Sequence, residues 1–165
     1  MKDIFDAYCG IYCGSCIIRL AYMQNRPESI PEPWKTMSKG MDLECHGCKS
    51  DHVYLNCAKC EIRACAKEKH VDYCFTCEDY PCEKVPERDT SEGFPHFTLF
   101  LQHRNLLKEN KVKEWLAYQK DRFTCKKCGN FFTWYEEFCH FCGGKVVSVI
   151  EELKNAKNDQ KYEKY

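Results

Sequence analysis

The chain has 165 residues and balances 25 Lys and Arg against 25 Asp and Glu, for a formal net charge of zero. Fifteen residues are cysteine, a share of about 9%, which is typical of chains scaffolded through cysteine. No apolar run approaches the ~20 residues of a membrane helix, and the start at Met1 to Asp6 lacks the apolar stretch of a secretory signal. The odd cysteine count and the missing signal point to reduced, metal-binding thiols of a cytoplasmic protein rather than to disulfides. With 44% apolar and 14% aromatic residues, wholesale disorder is excluded.

Eleven cysteines lie between Cys9 and Cys82 and four between Cys125 and Cys142. The expected organisation is a Cys-rich metal-binding domain over 1–88, a helical connector over 89–122, a zinc ribbon over 123–150 and a polar tail over 151–165. Within the first block, Ile17 to Met23 reads as a short helix before the breakers Pro27, Pro31 and Pro33. Ile62 to His70 is a second short helix by propensity. Glu78 to Arg88, with Pro81 and Pro86, offers at most one turn, and Pro86 to Pro95 is a polar linker. The connector predicts one or two amphipathic helices over His96–Asn110 and Lys111–Arg122. Phe97, Phe100, Leu101 and Leu107 share one face, and Val112, Trp115, Leu116 and Gln119 another. These faces are expected to pack on the metal modules, with a partner-binding helix marked by Trp115 as the alternative. From Lys154 onward the tail is nearly all polar and reads as frayed helix or disorder.

Six Cys-x-x-Cys pairs carry the chemistry: Cys13/Cys16, Cys45/Cys48, Cys57/Cys60, Cys74/Cys77, Cys125/Cys128 and Cys139/Cys142. Two intervening residues let both thiolates of a pair meet one ion from a tight knuckle, and two knuckles complete a tetrahedron around Zn²⁺. Six pairs therefore imply about three zinc ions. Cys125, Cys128, Cys139 and Cys142 have zinc-ribbon spacing, and Gly129 and Gly143 follow the second cysteine of each pair, where a knuckle turns through positive φ. Phe131 to Phe138 is expected to form the strand or hairpin between the knuckles. In the first block the pairs could join sequentially, Cys13/Cys16 with Cys45/Cys48 and Cys57/Cys60 with Cys74/Cys77, or interleave. Cys9, Cys65 and Cys82 remain. They could form a Cys₃His site with His46 or His70, replace members of a pair, or be buried as small apolar residues. The Cys9, Cys13, Cys16 spacing also matches the iron–sulfur triad of radical S-adenosylmethionine enzymes. Ser15 stands where those enzymes carry an aromatic, however, and the chain is too short for their barrel. An iron–sulfur cluster is thus the minority alternative to zinc.

A resemblance rests on four runs: Cys9-Gly-Ile-Tyr-Cys13-Gly-Ser-Cys16; Cys45-His-Gly-Cys48 with Ser50 and Asp51; Cys57-Ala-Lys-Cys60-Glu-Ile-Arg-Ala-Cys65-Ala-Lys-Glu-Lys; and Tyr73-Cys74-Phe-Thr-Cys77-Glu-Asp-Tyr-Pro81-Cys82-Glu-Lys. Together they resemble the prokaryotic Cys-rich family catalogued as domain of unknown function 3795, over roughly residues 5 to 88. The resemblance gives all eleven cysteines of this block a place. It also implies a helical connector and a C-terminal zinc ribbon, matched here by Trp115-Leu116 and Arg122-Phe123-Thr124-Cys125. His70 departs from the pattern, where glycine is expected at the end of the helix. The family implies a metal-binding fold and supplies no reaction.

No nucleophile elbow, phosphate loop, dinucleotide fingerprint or HExxH motif is present. His46 and His140 lie inside Cys pairs as knuckle residues, and Glu78 and Asp79 read as a solvated helix start. Cys9 has no placed His or Asn to make it a nucleophile. Phe131, Phe132, Trp134 and Tyr135, with Lys126 and Lys127 nearby, could stack and pair with nucleic acid, or the rings could fill the ribbon core. The fold class is accordingly α+β, built of small zinc-stabilised modules with a mostly helical or irregular first domain. The expected function is structural metal binding with an adaptor surface for an unidentified protein partner. Catalysis is not expected, and nucleic-acid binding and iron–sulfur or thiol redox chemistry stand as alternatives.

Overall fold

The computed structural model describes residues 4–85, 95–96 and 106–158. Helix α1 spans Ile17–Met23, α2 Trp34–Met37, α3 Leu55–Ala58, α4 Glu61–Glu68, α5 Val112–Arg122 and α6 Val149–Asn158, with 3₁₀ turns at Cys13–Ser15, Pro27–Ser29 and Cys74–Thr76. Among the described residues, β structure is confined to isolated bridges: Asp6 with Tyr12, Cys82 with Val85, Thr124 with Phe131, and Phe138 with Lys145. The expectation of a mostly helical and irregular molecule holds. The expected strand between the ribbon knuckles does not. Phe131 and Phe138 bridge outward to Thr124 and Lys145, so each short hairpin encloses one knuckle. The segment between them turns at Trp134 and Tyr135 instead. The reason is local: each knuckle reverses the chain within four residues, which brings its own flanks together.

Helix α1 begins directly after Cys16, whose extended backbone lets the helix start at Ile17. Ile17 to Ala21 are all buried, Arg19 included. The Arg19 guanidinium lies 4.4 Å over the Phe5 ring and donates to the Ile4 carbonyl. Its charge is thereby spread over a π face and a backbone acceptor. Ile17, Ile18 and Ala21 pack with Ile30, Cys45 and Tyr54 in one apolar cluster.

Helix α4 covers most of the expected Ile62–His70 segment and stops at Glu68. His70 then adopts φ 53°. Its N–H donates to the Lys67 carbonyl, and the Val71 N–H donates to the Ala66 carbonyl at 3.1 Å, so orphan carbonyls of the last turn are satisfied through a left-handed residue. Glycine accepts that conformation freely, and a side chain raises its energy by about 1–2 kcal/mol. Glycine also loses about 0.5–1 kcal/mol to its larger unfolded-state entropy. His70→Gly is therefore expected to stabilise the fold by roughly 0.5–1 kcal/mol. Chemical denaturation of the metal-loaded chain checks this, and a lower midpoint would show that the imidazole makes contacts worth more than the strain.

In the connector, Trp115 and Gln119 of α5 are buried, at 1% and 4% exposure, and Val112 and Leu116 are half-buried against the core. This is the face the spacing predicts, turned inward. Trp115 is therefore a core residue rather than the anchor of a partner-binding helix. Leu107 is also buried, whereas Phe97, Phe100, Leu101 and most of the 86–95 linker lie outside the described residues. Helix α6 begins at Val149, which is 1% exposed. It is pinned to α5 by the Arg122 guanidinium on the Glu152 carboxylate.

The larger core draws on both cysteine blocks. Tyr12, Tyr73, Phe75 and Val85 from the first meet Trp115, Phe123, Cys125, Phe132, Trp134, Cys139, Val146 and Val149 from the rest. Tyr12 stacks on Phe123 at 6.1 Å and meets Trp115 edge-on at 5.9 Å. Backbone contacts reinforce the join. The Trp134 N–H donates to the Ser15 carbonyl at 3.3 Å, and the Gln24 side chain donates to the Phe131 carbonyl at 3.1 Å.

Candidate metal centre

The sulfur atoms of Cys125, Cys128, Cys139 and Cys142 all lie within 4.8 Å of one another. Cys125 and Cys142 are 3.6 Å apart, and Cys128 and Cys139 are 3.5 Å apart. A zinc ion with Zn–S bonds of about 2.3 Å needs a tetrahedral edge of ~3.8 Å. Four thiols at this separation can hold one metal ion. The two knuckles create this geometry in the same way. The Gly129 N–H donates to the Cys125 carbonyl and the Gly143 N–H to the Cys139 carbonyl, each at 2.8 Å. Gly129 and Gly143 have φ of 75° and 64°, the left-handed geometry that the sequence assigns to them.

The electrostatics of the four differ with their surroundings. Backbone N–H groups of Cys128 and Lys127 aim at Cys125 and lower its pKa. Cys128 is pulled down to about 6 by the backbone N–H of Asn130 and by its side-chain amide, whose nitrogen is 3.4 Å from the sulfur. Burial pushes Cys139 up to about 12. Backbone N–H groups are aimed at thiolate charge on both knuckles, from Lys127, Cys128 and Asn130 on the first and from Phe141, Cys142 and Gly144 on the second. Asn130 is a functional residue the spacing argument missed. Its position immediately after the knuckle glycine is the signal that could have found it.

The cysteines of the first block influence one another across the block, with Cys48 acting on Cys74 and Cys74 on Cys9, and four of them share a cavity wall. Cys13, Cys16, Cys45, Cys48, Cys57 and Cys60 face one another electrostatically. Apart from burial, the strongest influence on Cys13 is Cys48, and on Cys57 it is Cys16 and then Cys45. Cys9 is raised by burial and then by Cys48. Arg63 of α4 ties this region together, donating to the carbonyls of Cys48 at 2.9 Å and Ser50 at 3.0 Å. Cys65, Cys74, Cys77 and Cys82 line a separate cavity. Among the described residues, the ribbon set alone draws three or more ligand atoms within 4.8 Å of one another. Of the histidines considered as ligands, His46 pairs with Glu44 at 2.9 Å, and His70 lines a different cavity from the one with the four cysteines.

Phe132 and Trp134 are buried in the shared core, so these two rings fill the ribbon interior. Phe131 and Tyr135 are half-buried, and Tyr135 packs on Trp34 at 5.4 Å. A further network closes the first block. Asp6 accepts from Lys49 at 2.7 Å and from the Tyr73 hydroxyl at 2.8 Å, while the Lys49 ammonium sits 3.8 Å over the Tyr73 ring.

Among the described residues, no helix is long and apolar enough to cross a membrane. No curated protein and no solved structure matches the chain. A family model does match, over residues 5–87, the stretch that holds the Cys9 to Cys82 runs. On that match the chain belongs to the family described as protein of unknown function (DUF3795).

Proposed function

We propose that the chain is a structural zinc-binding protein that carries about three ions and presents an adaptor surface to a protein partner. The observation that carries this reading is the convergence of the four ribbon thiols at the separation a single zinc ion requires. In a four-iron cluster each thiolate ligates a different iron and the sulfurs stand farther apart, so the ribbon set favours a mononuclear site. A reducing compartment such as the cytoplasm would keep the thiols available for metal. Phe138, Phe141 and Val147 are exposed at 61%, 47% and 52% and supply apolar contact area for a partner. Metal analysis and native mass spectrometry of anaerobically purified protein test the reading. Zinc bound to the wild type and reduced by one ion in Cys128→Ser supports it. Iron in the ribbon, or no metal at all, overturns it.

The nucleic-acid alternative is disfavoured by charge and by burial. Residues 1–90 carry a net charge of −3 and residues 91–165 a net charge of +3. Each zinc with four thiolates adds about −2, so the loaded chain is acidic. Lys120, Arg122, Lys126 and Lys127 form the basic cluster, but Asp121 pairs with Lys126 and Glu152 with Arg122. Non-specific affinity needs clustered, available cations. No complex with random DNA or RNA is expected at physiological salt. Sub-micromolar, salt-sensitive binding in an anisotropy titration, lost in Lys126→Glu with Lys127→Glu, would reverse this conclusion.

A further inference from the structure

The cavity beside α4 has a volume of about 280 Å³ and four of the fifteen thiols in its wall. Three separate pieces of local structure bring them there. On α4 and its C-cap, Ile62, Cys65, Ala66 and Lys69 recur at helical spacing on one face, and all four line the cavity. Cys74 and Cys77 bracket the 3₁₀ turn, where the Cys77 N–H donates to the Cys74 carbonyl at 3.1 Å, and this holds both residues of the pair on one side. Cys82 opens the bridge to Val85, closed by two backbone hydrogen bonds of 3.2 and 3.1 Å.

We propose that Cys65, Cys74, Cys77 and Cys82 form a second four-thiolate metal centre, distinct from the ribbon. This ligand set crosses the sequential pairing of Cys57/Cys60 with Cys74/Cys77 and recruits two cysteines that belong to no Cys-x-x-Cys pair. Lys69 and Lys84 also line the cavity, each paired with a carboxylate, that of Asp79 and that of Glu61 respectively.

The ligand chemistry is that of a soft, thiolate-binding metal, shared by a single zinc ion and a four-iron cluster. The four sulfurs surround the space and do not converge as the ribbon set does, so a single ion would have to draw them inward, whereas a cluster would occupy the volume between them. The remaining seven cysteines are then Cys9, Cys13, Cys16, Cys45, Cys48, Cys57 and Cys60, enough for one further centre. The inference stands apart from the ribbon reading, because the ribbon can keep its ion while this set fails.

The test uses the full chain, purified without oxygen, and needs no variant in its first arm. Timed alkylation with mass-spectrometric mapping reads each thiol before and after chelation. Cys82 is exposed and would react at once if free. The expected result is that Cys82 is protected together with Cys65, Cys74 and Cys77, and that chelation releases all four at a common rate. In the second arm, Cys65→Ser and Cys82→Ser each lose one metal centre per chain, and Cys57→Ser keeps this one. Zinc in the lost centre identifies a mononuclear site, and iron with acid-labile sulfide and visible absorption identifies a cluster. Immediate alkylation of Cys82 in the loaded protein would overturn the assignment. So would the joint release of Cys57 and Cys60 with Cys74 and Cys77.

Discussion

Stripping the metal from the full chain is expected to cause cooperative loss of structure that reaches Trp115, well beyond the ribbon itself. Structural zinc contributes apparent binding energy of roughly 10–16 kcal/mol per site, comparable to or above the 5–15 kcal/mol that typically separates folded from unfolded domains. Without metal, thiolates at 3.5 and 3.6 Å repel one another, and protonated thiols lose the ion that orders both knuckles. From spacing alone, damage to the ribbon would be local. The structure argues otherwise. Cys125 and Cys139 are buried at 2% and 1% exposure in the same cluster as Trp115, Phe123 and Tyr12. Loosening the knuckles therefore removes packing partners from the first block. Chelation should red-shift the tryptophan emission and collapse the amide spectrum of both blocks together. Cys139→Ser should show the same pattern in weaker form. A spectrum in which residues 5–85 stay dispersed while only the ribbon signals vanish would contradict this coupling.

Trp115→Ala is expected to destabilise the loaded chain by about 3–5 kcal/mol. The indole is among the largest fully buried side chains, at 1% exposure. It is met edge-on by Tyr12 at 5.9 Å, a geometry that contributes about 0.5–1.5 kcal/mol beyond area burial. Its removal leaves a cavity in the cluster that joins the first block, α5 and residues 123–149, and a packed core relaxes into such a cavity only in part. Trp115→Phe should recover part of the loss, since a smaller aromatic keeps the contact with Tyr12. Denaturant midpoints of the metal-loaded variants measure both effects. A cost below about 1 kcal/mol for alanine would mean that the site collapses freely and that the shared core is less continuous than its contacts indicate.

The convergence of Cys125, Cys128, Cys139 and Cys142 was legible in the sequence because all its determinants are local. Two Cys-x-x-Cys pairs and two glycines specify two knuckles, and two knuckles ten residues apart can face each other with little help from the rest of the chain. Helix α1 and the inward face of α5 were legible for the same reason, since a run of apolar residues or a 3.6-residue period carries its own geometry. Even the departure at His70 was visible as a missing glycine, because the left-handed turn it now occupies is a property of a few consecutive residues. The grouping of the first eleven cysteines was not legible. Spacing places two thiols of a pair on one knuckle, but which knuckles meet depends on how α4, the Cys74–Thr76 turn and the Cys82 bridge pack. Cys65 joins the cleft through its helical face and Cys82 through a bridge to Val85, and neither relation is encoded in a cysteine interval. The ribbon hairpins were misplaced by the same limit, because bridge partners are chosen by the closure of each knuckle. The fusion of both blocks into one core likewise rests on contacts such as Tyr12 with Phe123, more than a hundred residues apart. Contacts that distant are decided by tertiary packing, since only the folded chain brings them within reach.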